Sequence, residues 1–299
     1  GTLSASGAAL LDPSGALQPG VPVCPPEGDA GTGMVATDSV APRTANVSAG
    51  TSIFAMVVLE RPLAEVHHEL DLVTTPAGDP VAMVHCNNGA SELAAWVGMF
   101  TRFAAASGQS LTTDQVFEVL FREALAADAD AGGLLAYNYL AGEPLTGLAE
   151  GRPLFVRTPE SDFTLANVMR AQLYGVFGTL ALGMKVLESE GGALERMFAH
   201  GGIFRTAGVA QRLLAGALNA PVAVAETASE GGAWGIAVLA AYAASDAATP
   251  PGSYLHDVVF RDAAISTVAA DPADVAGFAA YLDRYRAGLV VEAAAVSAL

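Results

Sequence analysis

Pro25-Pro26-Glu27-Gly28-Asp29-Ala30-Gly31-Thr32-Gly33-Met34-Val35-Ala36 is the first stretch of this chain whose residue types suggest chemistry. A carboxylate directly after glycine, where an extended segment turns into a helix, is well placed to accept a proton from a bound hydroxyl. Asp29 has that setting, and it also suits a plain structural use as a helix N-cap. Gly31-x-Gly33-x-x-Ala36 matches a dinucleotide-binding fingerprint in its letters. Two prolines, however, stand where the preceding strand should end, and Asp38 follows too soon to reach a ribose. The second stretch, Ser48-Ala49-Gly50-Thr51-Ser52, lies between two strand-like runs. Such a turn leaves backbone N–H groups free to form an anion nest, with the Thr51 and Ser52 hydroxyls as further donors. An ordinary hairpin turn has the same composition. The third, His200-Gly201-Gly202-Ile203-Phe204-Arg205-Thr206, runs from a strand pattern into a glycine pair and a helix start. Two glycines let a flat ligand approach the backbone, and a helix N-terminus favours anions; a tight strand-to-helix connection reads alike.

Composition removes several alternatives. Fourteen basic against thirty-one acidic side chains give a net charge of −17, and Lys185 is the only lysine. Ala-Leu-Gly-Met precedes it, so no P-loop is present. That balance opposes nucleic-acid or anionic-membrane surfaces, which neutralise phosphates with Lys and Arg, and points to a small-molecule partner. His67-His68 fall in a polar segment and His85, His200 and His256 are isolated, without metal-ligand spacing. No G-x-S-x-G elbow anchors a hydrolase triad. Cys24 and Cys86 are too few for a disulfide framework, which fits a reducing compartment. The longest apolar run, from Trp234 to Ala244, falls short of the roughly 18 residues a membrane span needs, so a soluble protein is expected. The amino terminus has neither the basic nor the apolar region of a signal peptide.

These clusters need elements to position them. The chain has 299 residues, 52% hydrophobic and 15% charged, enough for a large core in one big domain or two small ones. Residues 1 to about 85 read as β-rich, with strands at 21–24, 45–48, 52–59 and 82–85 and a turn at 49–51. From Ser91 the period becomes helical, with Leu93, Trp96, Val97, Phe100 and Phe103 on one face, and Thr112 to Gln115 looks like a capped helix start. A long, largely buried helix is expected over 164–189. Beyond Gly191-Gly192, a strand at 196–200, a helix at 208–218, a strand at 222–224 and a helix at 232–244 imply a sheet with helices packed on it. Helical patterning returns at 274–289.

The order of the clusters carries more than any one of them. Gly28-Asp29, then Gly50-Thr51-Ser52 on a hairpin, then Tyr139-Leu140-Ala141-Gly142-Glu143-Pro144, the long helix, Gly201-Gly202 with Thr206, and Glu230-Gly231-Gly232-Ala233-Trp234-Gly235 follow one another. This series resembles the carboxy-terminal domain of the FGGY carbohydrate kinases, the family of xylulokinase, ribulokinase and glycerol kinase, over nearly the whole chain. The resemblance implies the actin-like, ribonuclease-H-like α/β fold, a mixed sheet flanked by helices. Residues 1–299 would then form a single nucleotide-binding domain with a helical tail from about 247. It implies Asp29 as general base toward a sugar hydroxyl, Gly50, Thr51 and Ser52 at the ATP phosphates, and Gly201, Gly202 and Thr206 at the adenosine, with Gly89 as a further glycine near the nucleotide. The cofactors implied are ATP and Mg2+, the metal held mainly through ATP rather than by protein ligands. Ala30 stands where the family usually has Asn or Gln, and Thr206 where it has Asn or Ser. The family's amino-terminal sugar-binding domain, with its Asp-x-Gly-Thr motif, is not in these residues. The expectation is therefore the C-terminal portion of a cytoplasmic kinase, inactive without its N-terminal partner domain, phosphorylating a ketopentose such as xylulose or ribulose; family members often dimerise. The alternative is a nucleotide-binding regulatory module without sugar kinase activity.

Overall fold

The computed structural model describes residues 1–190, 194–225, 231–245 and 249–299. Gly191-Gly192 and Glu230 lie outside them. The chain opens with α1 (Ala5–Leu11) and α2 (Asp29–Val35), followed by β1 (Thr44–Ala49), β2 (Ile53–Val58), β3 (Asp71–Thr74) and β4 (Pro80–Cys86). Next come α3 (Ser91–Ala106), α4 (Thr113–Glu123), a small ribbon of β5 (Leu135–Tyr137) and β6 (Leu154–Val156), and α5 (Leu165–Ser189). The last third runs β7 (Arg196–His200), α6 (Val209–Leu218), β8 (Val222–Ala225), α7 (Gly231–Ala244), α8 (Pro251–Tyr254), β9 (Ile265–Val268) and α9 (Pro272–Ala298).

A seven-stranded sheet of order β3-β4-β2-β1-β7-β8-β9 is the spine. β1 pairs antiparallel with β2, opposing Val47 to Ala55, and parallel with β7, opposing Asn46 to Phe198. Successive side chains of a strand point to opposite faces, and β2 shows the consequence. Ile53, Ala55 and Val57 enter one apolar core with α3 to α6 and α9, whereas Met56 and Val58 enter a second with α2 and α7. Helices therefore cover both faces, and α5, buried along most of its length, fills the larger core. Its start is fixed by Thr164, whose hydroxyl accepts from the Asn167 N–H; α4 begins with a reciprocal capping box between Thr112 and Gln115, as its sequence predicts. No helix among the described residues is long and apolar enough to cross a membrane.

Several expectations change. Residues 21–24 are not a strand: Val21 and Val23 are exposed, and only an isolated bridge joins Thr2 to Pro22. No strand precedes α2, which removes the dinucleotide reading of Gly31 to Ala36. Phe103 is 71% exposed because α3 meets the core along a narrower stripe than its sequence period suggests, centred on Leu93 and Val97. Short β3 and β9, at the sheet's two edges, carry too few buried residues to announce themselves.

The carboxy-terminal helical pattern becomes one helix, α9, sewn into the core. Its Tyr285 stacks on Tyr137 with ring centroids 4.6 Å apart and bonds through its hydroxyl to Tyr139 and Thr179, each at 3.0 Å. Asp274 in the first turn of α9 accepts from Arg212 of α6 at 2.6 Å and pairs with Arg170 of α5 at 3.4 Å. Arg170 is 2% exposed and donates also to the carbonyls of Ala124 and Asp128. Breaking a buried pair from one side leaves the other charge uncompensated. Asp274→Ala is expected to lower the unfolding free energy by about 3 kcal/mol. Arg212→Ala, whose guanidinium is partly solvated, should cost about 1 kcal/mol. Denaturant titrations of the two variants check this ranking, and equal losses would contradict it.

Candidate active site

The carboxyl ends of β1 and β7 lie side by side, and a cavity of about 490 Å³ opens beyond them. Open α/β sheets place ligands at such strand ends. Ala49 and Gly50 of the β1–β2 turn and the start of α3 at Ala90 and Leu93 form part of its wall; Phe117, Glu118 and Arg122 of α4 and the turn from Gly202 to Ala207 complete it. Gly201 must be glycine: its φ is +117°, and a Cβ there would run into the Ala49 carbonyl. Gly202 is different, since nothing would crowd a Cβ on it; it presents bare backbone to the cavity. Thr206 follows as the residue after the 202–205 turn and also lines the space. Arg122, bridged to Glu118 at 3.0 Å, and Arg205 line the cavity together with the carboxylates of Glu118 and Asp114, so its charged groups balance.

The β1–β2 turn has unspent donors. The Gly50 N–H is taken by the Ser52 carbonyl at 2.9 Å, while the N–H groups and hydroxyls of Thr51 and Ser52 make no hydrogen bond to described residues. Free N–H and O–H groups on a tight turn are what a phosphate oxygen requires. Gly89 packs against this turn from behind, its Cα side facing the Gly50 and Ser52 carbonyls, so that any Cβ would collide with them. That contact explains the glycine without reference to a ligand.

Asp29 sits on the other face of the sheet. Gly28 is the N-cap of α2 and Asp29 its first residue, with Oδ1 accepting from the Ala30 N–H at 2.8 Å. The short connection 36–43 returns α2 to the start of β1, so the opposite end of α2, with Asp29, points toward the edge where β1 and β7 finish. Asp29 is exposed and does not line the cavity. Glycines hold α2 in place. A Cβ on Gly235 of α7 would collide with the Thr32 carbonyl, and one on Gly232 would press on the Thr32 hydroxyl at 2.8 Å. Beneath α2, the buried Asn46 donates to Thr37 Oγ1 at 2.7 Å, and its Oδ1 lies 3.3 Å from His200 Nε2. Burial lowers the His200 pKa below the ordinary imidazole value, which keeps the ring neutral.

Comparison with known proteins places this arrangement. The sheet and its flanking helices superpose on a xyloylose kinase from Brucella ovis, with TM-score 0.72 and 24% identity over 96% of this chain. A xylulose kinase from Rhodospirillum rubrum gives 0.73 and 20% over 97%, and a Plasmodium falciparum glycerol kinase with ADP gives 0.65 and 12% over 91%. The fold is thus the actin-like, ribonuclease-H-like α/β fold expected from the sequence. The family profile described as the FGGY family of carbohydrate kinases, C-terminal domain, matches residues 45–244, and the chain belongs to that family. It spans 55% of the length of each of the first two kinases. Among the curated proteins none matches.

Gly50, Gly202 and Thr206 therefore share one cavity, Thr51, Ser52, Gly89 and Gly201 adjoin it, and Asp29 stands apart on α2. The α4 wall, with Phe117, Glu118 and Arg122, left no sign in the sequence beyond the capped helix start at Thr112 to Gln115. Two outcomes are expected. Gly235→Ala should cost about 1 to 3 kcal/mol through forced separation of α2 and α7, measured by chemical unfolding. An unfolded His200 takes up its proton near pH 6.5 and the folded one only at lower pH. Its contribution is therefore fully present above about pH 6.5 and lost as pH falls. His200→Gln should flatten the stability change between about pH 7 and pH 5.

Proposed function

We propose that this chain is the nucleotide-binding half of an ATP-dependent sugar kinase and that its acceptor is a ketopentose, xylulose or ribulose. The observation that carries the reading is the convergence of Gly50 with the distant Gly202-to-Thr206 turn on one cavity at the ends of β1 and β7. Family membership supports it, because phosphoryl transfer needs positioning and charge neutralisation more than covalent participation by the protein. The flat surface at Gly201-Gly202, with Thr206 as hydrogen-bonding group and Phe117 and Leu93 as apolar walls, holds the adenosine. Gly50, Thr51 and Ser52 receive the phosphates through backbone and hydroxyl donors.

Asp29 takes the proton from the sugar hydroxyl as that oxygen bonds to the γ-phosphorus and the bond to the bridging oxygen of the diphosphate leaving group breaks. Its exposure at the head of α2 leaves its Oδ2 without a hydrogen bond to any described residue. No group of three His, Cys, Asp or Glu side chains among the described residues converges as a metal site, whereas the free donors of the turn suit phosphate oxygens. A magnesium ion would be held through those phosphates and would supply neutralising charge. A second domain supplies the remaining sugar contacts and closes over Asp29, and the demand for ATP suits a cytoplasmic enzyme.

The test uses the longer protein containing this chain, with ATP consumption followed across ketopentoses, polyols and hexoses. Turnover on a ketopentose is expected, and Asp29→Asn should reduce kcat by about 10²- to 10⁴-fold while ATP still binds. Full turnover in the variant would remove Asp29 from its role. Nucleotide binding without turnover on any sugar would favour the regulatory module.

A further inference from the structure

Glu143 is 0% exposed and does not line the cavity, yet it is a carboxyl group in a place where desolvation penalises charge. Its Oε2 accepts from the Asn88 N–H at 3.3 Å and from Asn88 Nδ2 at 3.1 Å; its Oε1 has no partner among the described residues. Burial raises its pKa. Asn88 is held on every side. Its Oδ1 accepts from the N–H groups of Leu140 and Ala141, both at 2.9 Å, and its Nδ2 donates also to the Ala141 carbonyl at 3.0 Å. Asn138 Nδ2 donates to the carbonyls of Asn88 at 3.0 Å and Gly89 at 2.6 Å.

The next links reach the phosphate turn. Gly89 N–H donates to the Thr51 carbonyl and Ala90 N–H to the Gly50 carbonyl, each at 2.8 Å. The backbone N–H and C=O groups of Asn88 and Gly89 are thus all spoken for, by the 138–143 segment on one side and the 50–52 turn on the other. Gly89 leaves no slack on the turn side, since its missing side chain is what lets the 88–90 loop lie against the 50–52 turn. In some proteins a polar group buried at a cost to stability fixes one arrangement among several, and a fully connected network rigidifies the segments it joins.

Building on the kinase reading above, we propose that Glu143, acting through Asn88 and Gly89, is a positioning residue for the reaction. It locks the β1–β2 turn so that the free donors of Thr51 and Ser52 face the nucleotide phosphates, and it touches no ligand itself. The consequence is selective: loosening the lock weakens binding of the phosphate tail and spares the adenosine end, which rests on the 201–206 turn.

Titration calorimetry with ATP, ADP and adenosine on the longer protein, for wild type, Glu143→Gln and Glu143→Leu, tests this. Glu143→Leu should weaken ATP and ADP by about tenfold, the equivalent of one hydrogen bond, and leave adenosine within about twofold. Glu143→Gln keeps an acceptor for Asn88 and should restore most of the loss. Hydrogen exchange without nucleotide should show faster exchange at residues 50–53 and 88–90 in Glu143→Leu and no change in α5 or α9. Should Glu143→Leu fail to fold, Asn88→Ala breaks the same link from the other side. Equal weakening of all three ligands, or loss of protection across the whole sheet, would reduce Glu143 to a structural residue and overturn the proposal. If wild type binds none of the three ligands, the kinase reading fails instead, and the exchange data alone decide whether the turn depends on Glu143.

Discussion

Gly201 meets the Ala49 carbonyl where β1 and β7 run parallel, and the site grows outward from that contact. A side chain at 201 would push the strand ends apart and take the 202–207 turn away from the β1–β2 turn. With glycine, two loops separated by about 150 residues of sequence face each other across one cavity. Parallel strands leave their carboxyl ends on the same edge, and helices cover both faces of the sheet.

Glycine does a second task on the opposite face. Gly235 and Gly232 let α7 press on the Thr32 turn of α2, so the helix carrying Asp29 is held by close backbone contact as well as by the apolar cluster that Met34 and Val35 share with Val238. Asn46, Thr37 and the neutral His200 then tie its underside to β1 and β7. Candidate base and candidate nucleotide cavity thus hang from the same pair of strands, one on each face. The β1 and β7 residues between them, among them Ala45, Val47, Met197 and Phe198, are fully buried.

Legibility in the sequence followed the range of the interactions. The β1–β2 hairpin, the capping box at Thr112 and the long helix α5 were readable because their signals are local: alternation, a cap and a 3.6-residue period. The glycine clusters were readable as an ordered series, although not as steric necessities; that Gly201 faces Ala49 and Gly89 faces Ser52 depends on strand pairing. Edge strands β3 and β9 were missed since few of their residues are buried. The hydrogen bonds between Asn88 and Glu143, across 55 residues, left no local trace at all. The α4 wall was hidden similarly: nothing in Phe117 or Arg122 says which face of a helix meets a cavity.

A chain with one lysine can still hold phosphates if the donors are backbone groups, and this architecture explains the trade. A lysine brings its own charge and can be placed on a mobile stem. A turn of N–H groups carries only partial charges, so its value depends on all donors pointing to one locus at the same time. Rigidity must then come from elsewhere. Here it comes from the loop at 88–90, pinned between the turn and the buried polar group of Asn138 and Glu143. Glu143 Oε1 and Asn138 Oδ1, without partners among the described residues, are a cost that an apolar core would avoid. Their presence directly behind a turn rich in free donors is understandable as the stiffening that the phosphate role proposed for this lysine-free turn would require.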